Sequence, residues 1–194
     1  MKKMALFLLM FMLACISFNP SRNTIYGNSD EQRACYFFRN TTPINISLDS
    51  DFTDYERRQF TTALPSLRRL NLNYVLVSSV HSHVDLYVRS WRNPKIGSNT
   101  IGLYRSHSNY ILIDVEGIST DQQMQTIINH EIGHWLGMRH ICLTNRDVYK
   151  YDCFTEVGFG IGVMNPIIDR GSSHLFSELD MNNFHSVLRQ EGCE

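Results

Sequence analysis

Three histidines and one glutamate lie within twelve residues of the segment NHEIGHWLGMRH, Asn129 to His140. His130 and His134 are four positions apart, so on a helix both imidazoles project from the same face. Glu131 lies beside them. This spacing constrains the fold more than any other feature of the chain, because it requires a helix with a polar, ligand-bearing face inside the domain.

The residues around this segment predict the helix that carries it. Thr120 and Gln123 fit a capping box at its start. Gly137 is placed to end it in a left-handed turn that brings His140 back towards the first two histidines. Apolar residues at helical spacing lead into the segment: Met124, Ile127 and Ile128. The sequence therefore predicts a helix and a following turn that gather three imidazoles at one point.

Three histidine ligands suit zinc and leave one of its four tetrahedral positions open. Water bound there has a pKa of about 7, and Glu131, which is not a ligand, is placed to accept its proton as attack on a carbonyl begins. We therefore predict one catalytic Zn²⁺ held by His130, His134 and His140, with Glu131 as general base. The alternative is a set of ordinary histidines, but a chance match to five fixed positions is expected in fewer than about one in ten thousand chains of this length.

Length and charge limit the classes of protein that need be considered. A chain of 194 residues with 43% hydrophobic content can build one globular core, and we expect a single domain and a monomer. The formal net charge of −1 provides no basic field, so nothing in the sequence indicates nucleic-acid binding or electrostatic attraction to a membrane.

The N-terminus predicts export. Lys2 and Lys3 precede an apolar run, MALFLLMFMLAC, that is too short to span a bilayer and is typical of a signal peptide over residues 1–15. The run ends in LAC, which resembles the lipobox of bacterial lipoproteins and makes Cys15 a lipidation candidate. The alternative is an ordinary signal peptide cut a few residues further on. The protein is then either a membrane-anchored lipoprotein, at the outer membrane or cell surface, or a secreted protein.

The remaining cysteines form an even set once Cys15 is set aside. We predict disulfides between Cys142 and Cys153 and between Cys35 and Cys193, while buried free thiols remain the alternative. Residues 16–40 are polar with little periodicity and predict a tether, which leaves residues 41–194 as the folded domain.

Periodicity within that domain predicts an α+β fold. Thr53 and Glu56 fit a capping box for an early helix, which Pro65 should kink or split. Five segments have the alternation or the β-branched and aromatic content of strands: TPINISLDS, NYVLVSS, VDLYVRSW, NYILIDV and the weaker TIGLYRS.

The pattern H-E-x-x-H-x-x-G-x-x-H followed by IGVMNPI, with Met164 at its centre, resembles the metzincin metallopeptidases. The likeness covers residues 42–190 and is greatest to matrixins, because Gly133, VDLYV, the Met-x-Pro turn and LFSELDMNNFHSVL all look like that group. It implies a twisted, five-stranded mixed sheet and two long helices, with the zinc helix followed by a methionine turn and a C-terminal helix. Met164 would form an apolar floor under the metal.

The resemblance also bears on Asp180 and on the number of metal ions. Asp180 matches an aspartate that braces the methionine turn in matrixins, and an ordinary acid at a helix start is the alternative. The segment RNPKIGSNTIGLYRSHS lacks the structural zinc and calcium ligands of that group, so we expect one zinc ion. A second site from His81, His83 and His107 is conceivable, but solvated histidines are the favoured interpretation.

Substrate binding follows from the implied fold. The strand TIGLYRS would be the upper edge of the sheet, where a protein or peptide substrate adds in extended form as another strand. Ile167, Ile168 and Leu175 suggest an apolar specificity pocket, whereas Arg170 would suit an acidic residue.

Two functions compete at this point. The first is a zinc-dependent endopeptidase that hydrolyses peptide bonds of extracellular or envelope proteins through a zinc-bound water activated by Glu131. The second is a catalytically silent, zinc-containing peptide-binding module. Glu131 favours catalysis, because a module that only binds would not need a non-ligand glutamate beside the metal.

Overall fold

A computed structural model describes residues 29–78, 83–91, 101–142, 153–154, 162–166 and 174–194. Several predictions fall outside these ranges: the signal peptide over 1–15 with Cys15, the first part of the tether, His81, Ile167, Ile168 and Arg170.

The centre of the fold is a mixed five-stranded sheet, and all five predicted strand segments contribute to it. Its strands are β1 (Ile44–Leu48), β2 (Tyr74–Leu76), β3 (Leu86–Trp91), β4 (Gly102–Tyr104) and β5 (Tyr110–Asp114). The order is β2-β1-β3-β5-β4, with β4 antiparallel to β5 and the other pairs parallel. The predicted α+β class and mixed sheet are confirmed, and β4 lies at an edge.

Four α-helices accompany the sheet in the described part of the chain. They are α1 (Asp30–Asn40), α2 (Asp54–Ala63), α3 (Asp121–Trp135) and α4 (Glu178–Gln190). A seven-residue 3₁₀-helix, Leu64–Leu70, follows α2 directly. Pro65 stands at the start of this tighter segment because a proline ring cannot be accommodated inside an α-helix. The predicted split is confirmed.

The core lies between one face of the sheet and the helices. The helix α3 packs against α2, β4 and β5. The largest buried side chains of this layer come from both sides of the interface: Ile46, Leu86, Val88, Ile111 and Ile113 from the sheet, and Ile127, Ile128, Ile132 and Trp135 from α3. Because α3 is buried on nearly every side near its C-terminal end, a polar group there is costly unless it has a partner inside the protein.

Residues 30–40 differ from the predicted tether, since they form α1 and pack on the core. Ser29 caps the helix by accepting a hydrogen bond from the Gln32 backbone N–H. Ala34 and Phe37 are buried, and the Phe37 ring lies 5.8 Å from that of Trp135. The apolar face is only two or three residues wide, and the polar residues around it concealed it from the periodicity test.

Both predicted disulfides form, Cys35 with Cys193 and Cys142 with Cys153. The first joins α1 to the end of α4. Paired cysteines of this kind indicate an extracellular or otherwise oxidising environment. Of the helices in the described ranges, each is too short or too polar to cross a bilayer.

Candidate metal centre

The structure brings together the three histidines of the opening motif. His130 and His134 project from the last two turns of α3, and His140 lies in β6 (His140–Ile141), which pairs in parallel with β7 (Cys153–Phe154). The Nε2 atom of His134 lies 3.1 Å from Nε2 of His130 and 3.1 Å from Nε2 of His140. Three ring nitrogens thus converge on one point.

The turn after α3 has the hydrogen bonds of a Schellman motif. The Met138 N–H donates to the Gly133 carbonyl at 2.9 Å, and the Gly137 N–H donates to the His134 carbonyl at 2.9 Å. Gly137 has a φ of 78°, which side-chain-bearing residues rarely adopt. This left-handed residue reverses the chain and directs His140 to the other two imidazoles, as predicted.

Backbone carbonyls orient two of the rings. The Nδ1 atom of His130 lies 2.8 Å from the Val163 carbonyl, and Nδ1 of His134 lies 2.9 Å from the Met138 carbonyl. Since a carbonyl only accepts, each Nδ1 carries the proton and each Nε2 presents a lone pair. Burial, with the neighbouring imidazole of His134, lowers the pKa of His130 well below its ordinary value and that of His140 to about 4. The rings of His130 and His140 are therefore neutral at physiological pH.

This donor set fits a metal ion. The Nε2 lone pairs of His130 and His134 face each other at 3.1 Å and repel unless a cation lies between them. With metal–nitrogen bonds of about 2.1 Å, a tetrahedral ion separates its ligand nitrogens by about 3.4 Å, close to the spacing in the structure. The carbonyl partners on Nδ1 are the outer contacts that metal-binding histidines usually have. In the part of the chain that the structure describes, His130, His134 and His140 form a group of ligand-type side chains that could hold a metal ion.

Glu131 is buried beside this centre and beneath the edge strand β4. A Cβ atom on Gly102 would collide with the Glu131 carboxylate, so the strand passes directly over the acid because it has no side chain there. Burial raises the pKa of Glu131 to about 8, against the lowering effect of a backbone hydrogen bond from Tyr104. The group can therefore hold or release a proton near neutral pH.

The predicted methionine turn lies on the opposite side of the histidines. Met164 is fully buried and packs against Gly133 of α3, and its carbonyl accepts a 2.8 Å hydrogen bond from the Ile141 N–H next to His140. The turn thus provides an apolar surface under the centre and also fixes the strand that carries the third histidine. The floor role that the resemblance implied for Met164 stays a prediction.

Asp180 fulfils both of the roles that the sequence left open. Its carboxylate accepts from the backbone N–H groups of Val163 at 2.9 Å and Met164 at 3.0 Å. It also accepts from the N–H and hydroxyl of Ser177, both at 2.7 Å, in a complete capping box of α4. One buried carboxylate therefore joins the methionine turn to the C-terminal helix.

The structure changes one smaller prediction and bears on one alternative. The Thr120 hydroxyl accepts from the Gln123 N–H as expected, but the Gln123 side chain accepts from Ser119 instead of closing the capping box. The conceivable second metal site is not formed by its described members, since His83 pairs with Asp85 at 2.9 Å and His107 lies in a turn with its N–H on Asp30.

Sequence reasoning missed the polar residues that hold the centre from outside. Asn129, which is fully buried, donates to the carbonyls of Ala63 at 3.2 Å and His174 at 2.8 Å. It thereby ties α3 to the end of α2 and to the segment before α4. Arg33, paired with Asp30, holds the C-terminal residue of α3. The available signal for Asn129 was its position directly before the histidine motif. Nothing in the local sequence marked Asp30 or Arg33.

Comparisons with known proteins show a likeness of fold. No protein-family model matches the chain, and no match was found among curated proteins. Among solved structures, 35 chains match. One of them is described as "Structure of Myroilysin", with a TM-score of 0.50 and 16% sequence identity, covering 80% of this chain and 85% of that one. At this identity the match shows similarity of fold alone.

Proposed function

We propose that this chain is a zinc-dependent endopeptidase of metzincin type, closest to the matrixins, that hydrolyses peptide bonds of extracellular or envelope proteins. One observation carries the proposal: three imidazoles converge, with Nε2 of His134 lying 3.1 Å from Nε2 of each of the other two, and a buried glutamate that is not one of them lies alongside. Structural metal sites need four closed ligands, whereas three ligands and a free acid are what hydrolysis requires.

His130, His134 and His140 would hold the ion. When bound, zinc supplies Lewis acidity, lowering the pKa of water at the centre to about 7 and polarising the substrate carbonyl. The carbonyl partners on Nδ1 of His130 and His134 keep those rings in the tautomer that leaves Nε2 free. Met164, buried against Gly133 of α3, would support the helix that carries His130 and His134.

Glu131 would move the proton. Its burial favours the neutral form, so a proton taken up as attack begins can stay on the carboxyl until the leaving amine needs it. The backbone hydrogen bond from Tyr104 acts in the other direction and keeps the ionised form accessible. The acid is thus held near the pKa at which it can act as both base and acid around pH 7.

The substrate would lie along β4. Among the residues that the structure describes, this strand pairs with β5 on one side only, so its other side can pair with an extended peptide backbone. Gly102 keeps the strand close to Glu131, which would place a backbone carbonyl of the substrate near both the acid and the histidines. Main-chain pairing of this kind accepts many sequences, as an endopeptidase acting on varied proteins requires.

Export completes the proposal. The two disulfides fit a protein that functions outside the cytoplasm. We propose that residues 1–15 direct export and that the chain is either lipidated at Cys15 or secreted, and that it acts as a monomer. Mass spectrometry of the mature N-terminus distinguishes a diacylglyceryl cysteine from an unmodified cut.

The test of the function is cleavage of a denatured-protein and peptide-library mixture by the zinc-loaded chain. Glu131→Gln removes the acid while keeping its size, and Glu116→Gln makes the same change at an exposed glutamate. We expect cleavage by the wild type and Glu116→Gln, at least about a hundredfold loss in Glu131→Gln, and full zinc occupancy in all three. A folded, zinc-loaded wild type that cleaves nothing would instead support the silent peptide-binding module.

A further inference from the structure

A buried ion pair lies in the first turn of α1, outside the histidine motif. Arg33 donates from Nη1 to Oδ1 of Asp30 at 3.2 Å, and each side chain is only 9% exposed. Removing two charges from water costs several kcal/mol per ion unless other hydrogen bonds satisfy them. The other hydrogen-bond partners of Arg33 and Asp30 therefore show which parts of the fold the buried pair connects.

Arg33 reaches the end of the helix that carries the histidines. Its Nη1 donates to the Trp135 carbonyl at 2.7 Å and its Nη2 to the Ser108 carbonyl at 3.3 Å. The guanidinium also lies over the Trp135 ring, 4.7 Å from the centroid. Trp135 is the last residue of α3 and follows His134 directly, so Arg33 fixes α3 at the metal centre.

Asp30 reaches the edge strand. Its carboxylate accepts from the Tyr104 hydroxyl at 2.6 Å, the Ser106 hydroxyl at 3.2 Å and the His107 backbone N–H at 3.1 Å. These donors occupy the last residue of β4 and the turn that follows. A strand of three residues has few ladder hydrogen bonds of its own, so the carboxylate provides a second attachment for β4.

Asp30 also borders a cavity next to the metal centre. A cavity of about 500 Å³ lies between the first turn of α1 and the histidines. Its walls include residues of α1, of β4 with the turn after it, and of the histidine cluster: Asp30 and Glu31, Tyr104 and Ser106, and His134 and His140. An extended peptide paired with β4 would cross this space as it approaches the metal centre.

We propose that Asp30 and Arg33 are positioning residues that set the separation between β4 and the metal centre, and so determine how tightly an extended peptide backbone is held. The inference rests on the proposed function for the nature of the ligand. The ion pair is not needed to anchor α1, because the Cys35–Cys193 disulfide and the packing of Phe37 on Trp135 already hold that helix. What the pair adds is a connection between β4 and α3.

The test compares two probes of the zinc-loaded full chain. Acetohydroxamate binds the metal alone, whereas a peptidyl hydroxamate binds the metal and also pairs its backbone with the edge strand. Dissociation constants are measured for the wild type, Asp30→Asn, Arg33→Lys, Arg33→Met and the control Arg39→Met. Arg39 lies on the same helix, is exposed, and bonds only to the Gly192 carbonyl among the contacts resolved for it.

We expect affinity for the peptidyl hydroxamate to fall about tenfold in Asp30→Asn and Arg33→Met, and less in Arg33→Lys, which keeps the charge but not the two-branched donor. Affinity for acetohydroxamate should change less than twofold in every variant, and Arg39→Met should match the wild type with both probes. Where Arg33→Met fails to fold, the two milder variants decide.

Equal losses for both probes would show a general structural defect and overturn the inference, and so would unchanged affinities in folded variants. A wild type that gains nothing from the peptide part also overturns it, whether or not it cleaves peptides. Conversely, the expected loss in a chain that shows no cleavage would leave the inference standing while the proposed catalytic function fails, so the two failures are distinguishable.

Discussion

The thioether of Met164 occupies the space that a side chain on Gly133 would need. A Cβ atom there would overlap the Met164 sulfur and lie 3.4 Å from the Met138 sulfur. Since Gly133 sits between His130 and His134, the helix α3 can approach the methionine turn only where it has no side chain. The glycine of the motif is thus a packing requirement, although glycine normally weakens a helix interior.

Gly133→Ala should therefore destabilise the protein by about 1–3 kcal/mol through overpacking, against the stabilisation of up to about 1 kcal/mol that alanine gives an ordinary helix. Thermal unfolding of the zinc-loaded chain measures it. Met164→Ala vacates the space that the new methyl group needs. The double variant should therefore lose less stability than the sum of the losses in the two single variants. A stabilised Gly133→Ala would contradict the packing described.

Asp180→Asn should cost about 3 kcal/mol, because the buried carboxylate accepts from Val163, Met164 and Ser177 and an amide offers those donors only one oxygen. Zinc affinity should fall as well, since the turn that supports the histidines loosens. Glu178→Gln, an exposed acid in the same first turn of α4, is the control and should change both quantities little. An Asp180→Asn with wild-type zinc affinity would show that the turn holds without the brace.

The Cys142–Cys153 disulfide should affect zinc binding, because it joins the two short strands next to His140. His140 lies in a two-residue strand that pairs with the strand beginning at Cys153. Replacing both cysteines by serine should cost about 2–4 kcal/mol and weaken zinc binding at least about tenfold. The matched double replacement of Cys35 and Cys193 should lower stability with little effect on zinc affinity. Competition with a chromophoric chelator measures the zinc affinity of the two double variants. Equal zinc affinities in the two would contradict the prediction.

The metal-free protein should show opposing pH effects. The pKa values of His130 and His140 lie below the ordinary 6.5, so the unfolded state binds more protons and stability falls as pH drops from about 6.5 towards 4. The pKa of Glu131 is raised from 4.5 to about 8, so the folded state binds more protons and stability rises as pH drops through that window.

Glu131→Gln removes the second effect alone. With chelator present, its melting temperature should fall more steeply between pH 7 and pH 5 than that of the wild type, while Glu116→Gln should follow the wild type. Thermal melts at three pH values measure the slopes. A Glu131→Gln slope equal to or shallower than the wild-type slope would show that the buried acid does not take up a proton on folding.

Local chemistry explains which parts of the fold were predictable. Alternation or β-branched and aromatic content identified all five strands, Pro65 marked the change to a 3₁₀-helix, and Gly137 marked the turn after α3. In each case the signal and its consequence lie within a few residues of one another. The histidine cluster belongs to the same class, because helical spacing and one turn are enough to bring its members together.

Contacts between distant residues account for what was missed. Arg33 meets the Trp135 carbonyl across 102 positions, and Asp30 meets Tyr104 across 74. No periodicity connects such pairs, and a polar first turn resembles a solvated segment until the partners are known. The same reason hid α1, whose narrow apolar face becomes meaningful only when Trp135 lies opposite it.

The bridge between Cys35 and Cys193 encloses nearly the whole folded chain in one covalent ring. If copies of this protein attack one another, a single internal cut would open the ring without releasing a fragment, and the pieces would stay joined until the disulfide is reduced. Autolysis would then be invisible by mass under non-reducing conditions apart from one added water, and a nicked molecule could keep its histidine centre assembled. Resistance to self-digestion would thus come from the closure of the chain and not from a shortage of cleavable bonds.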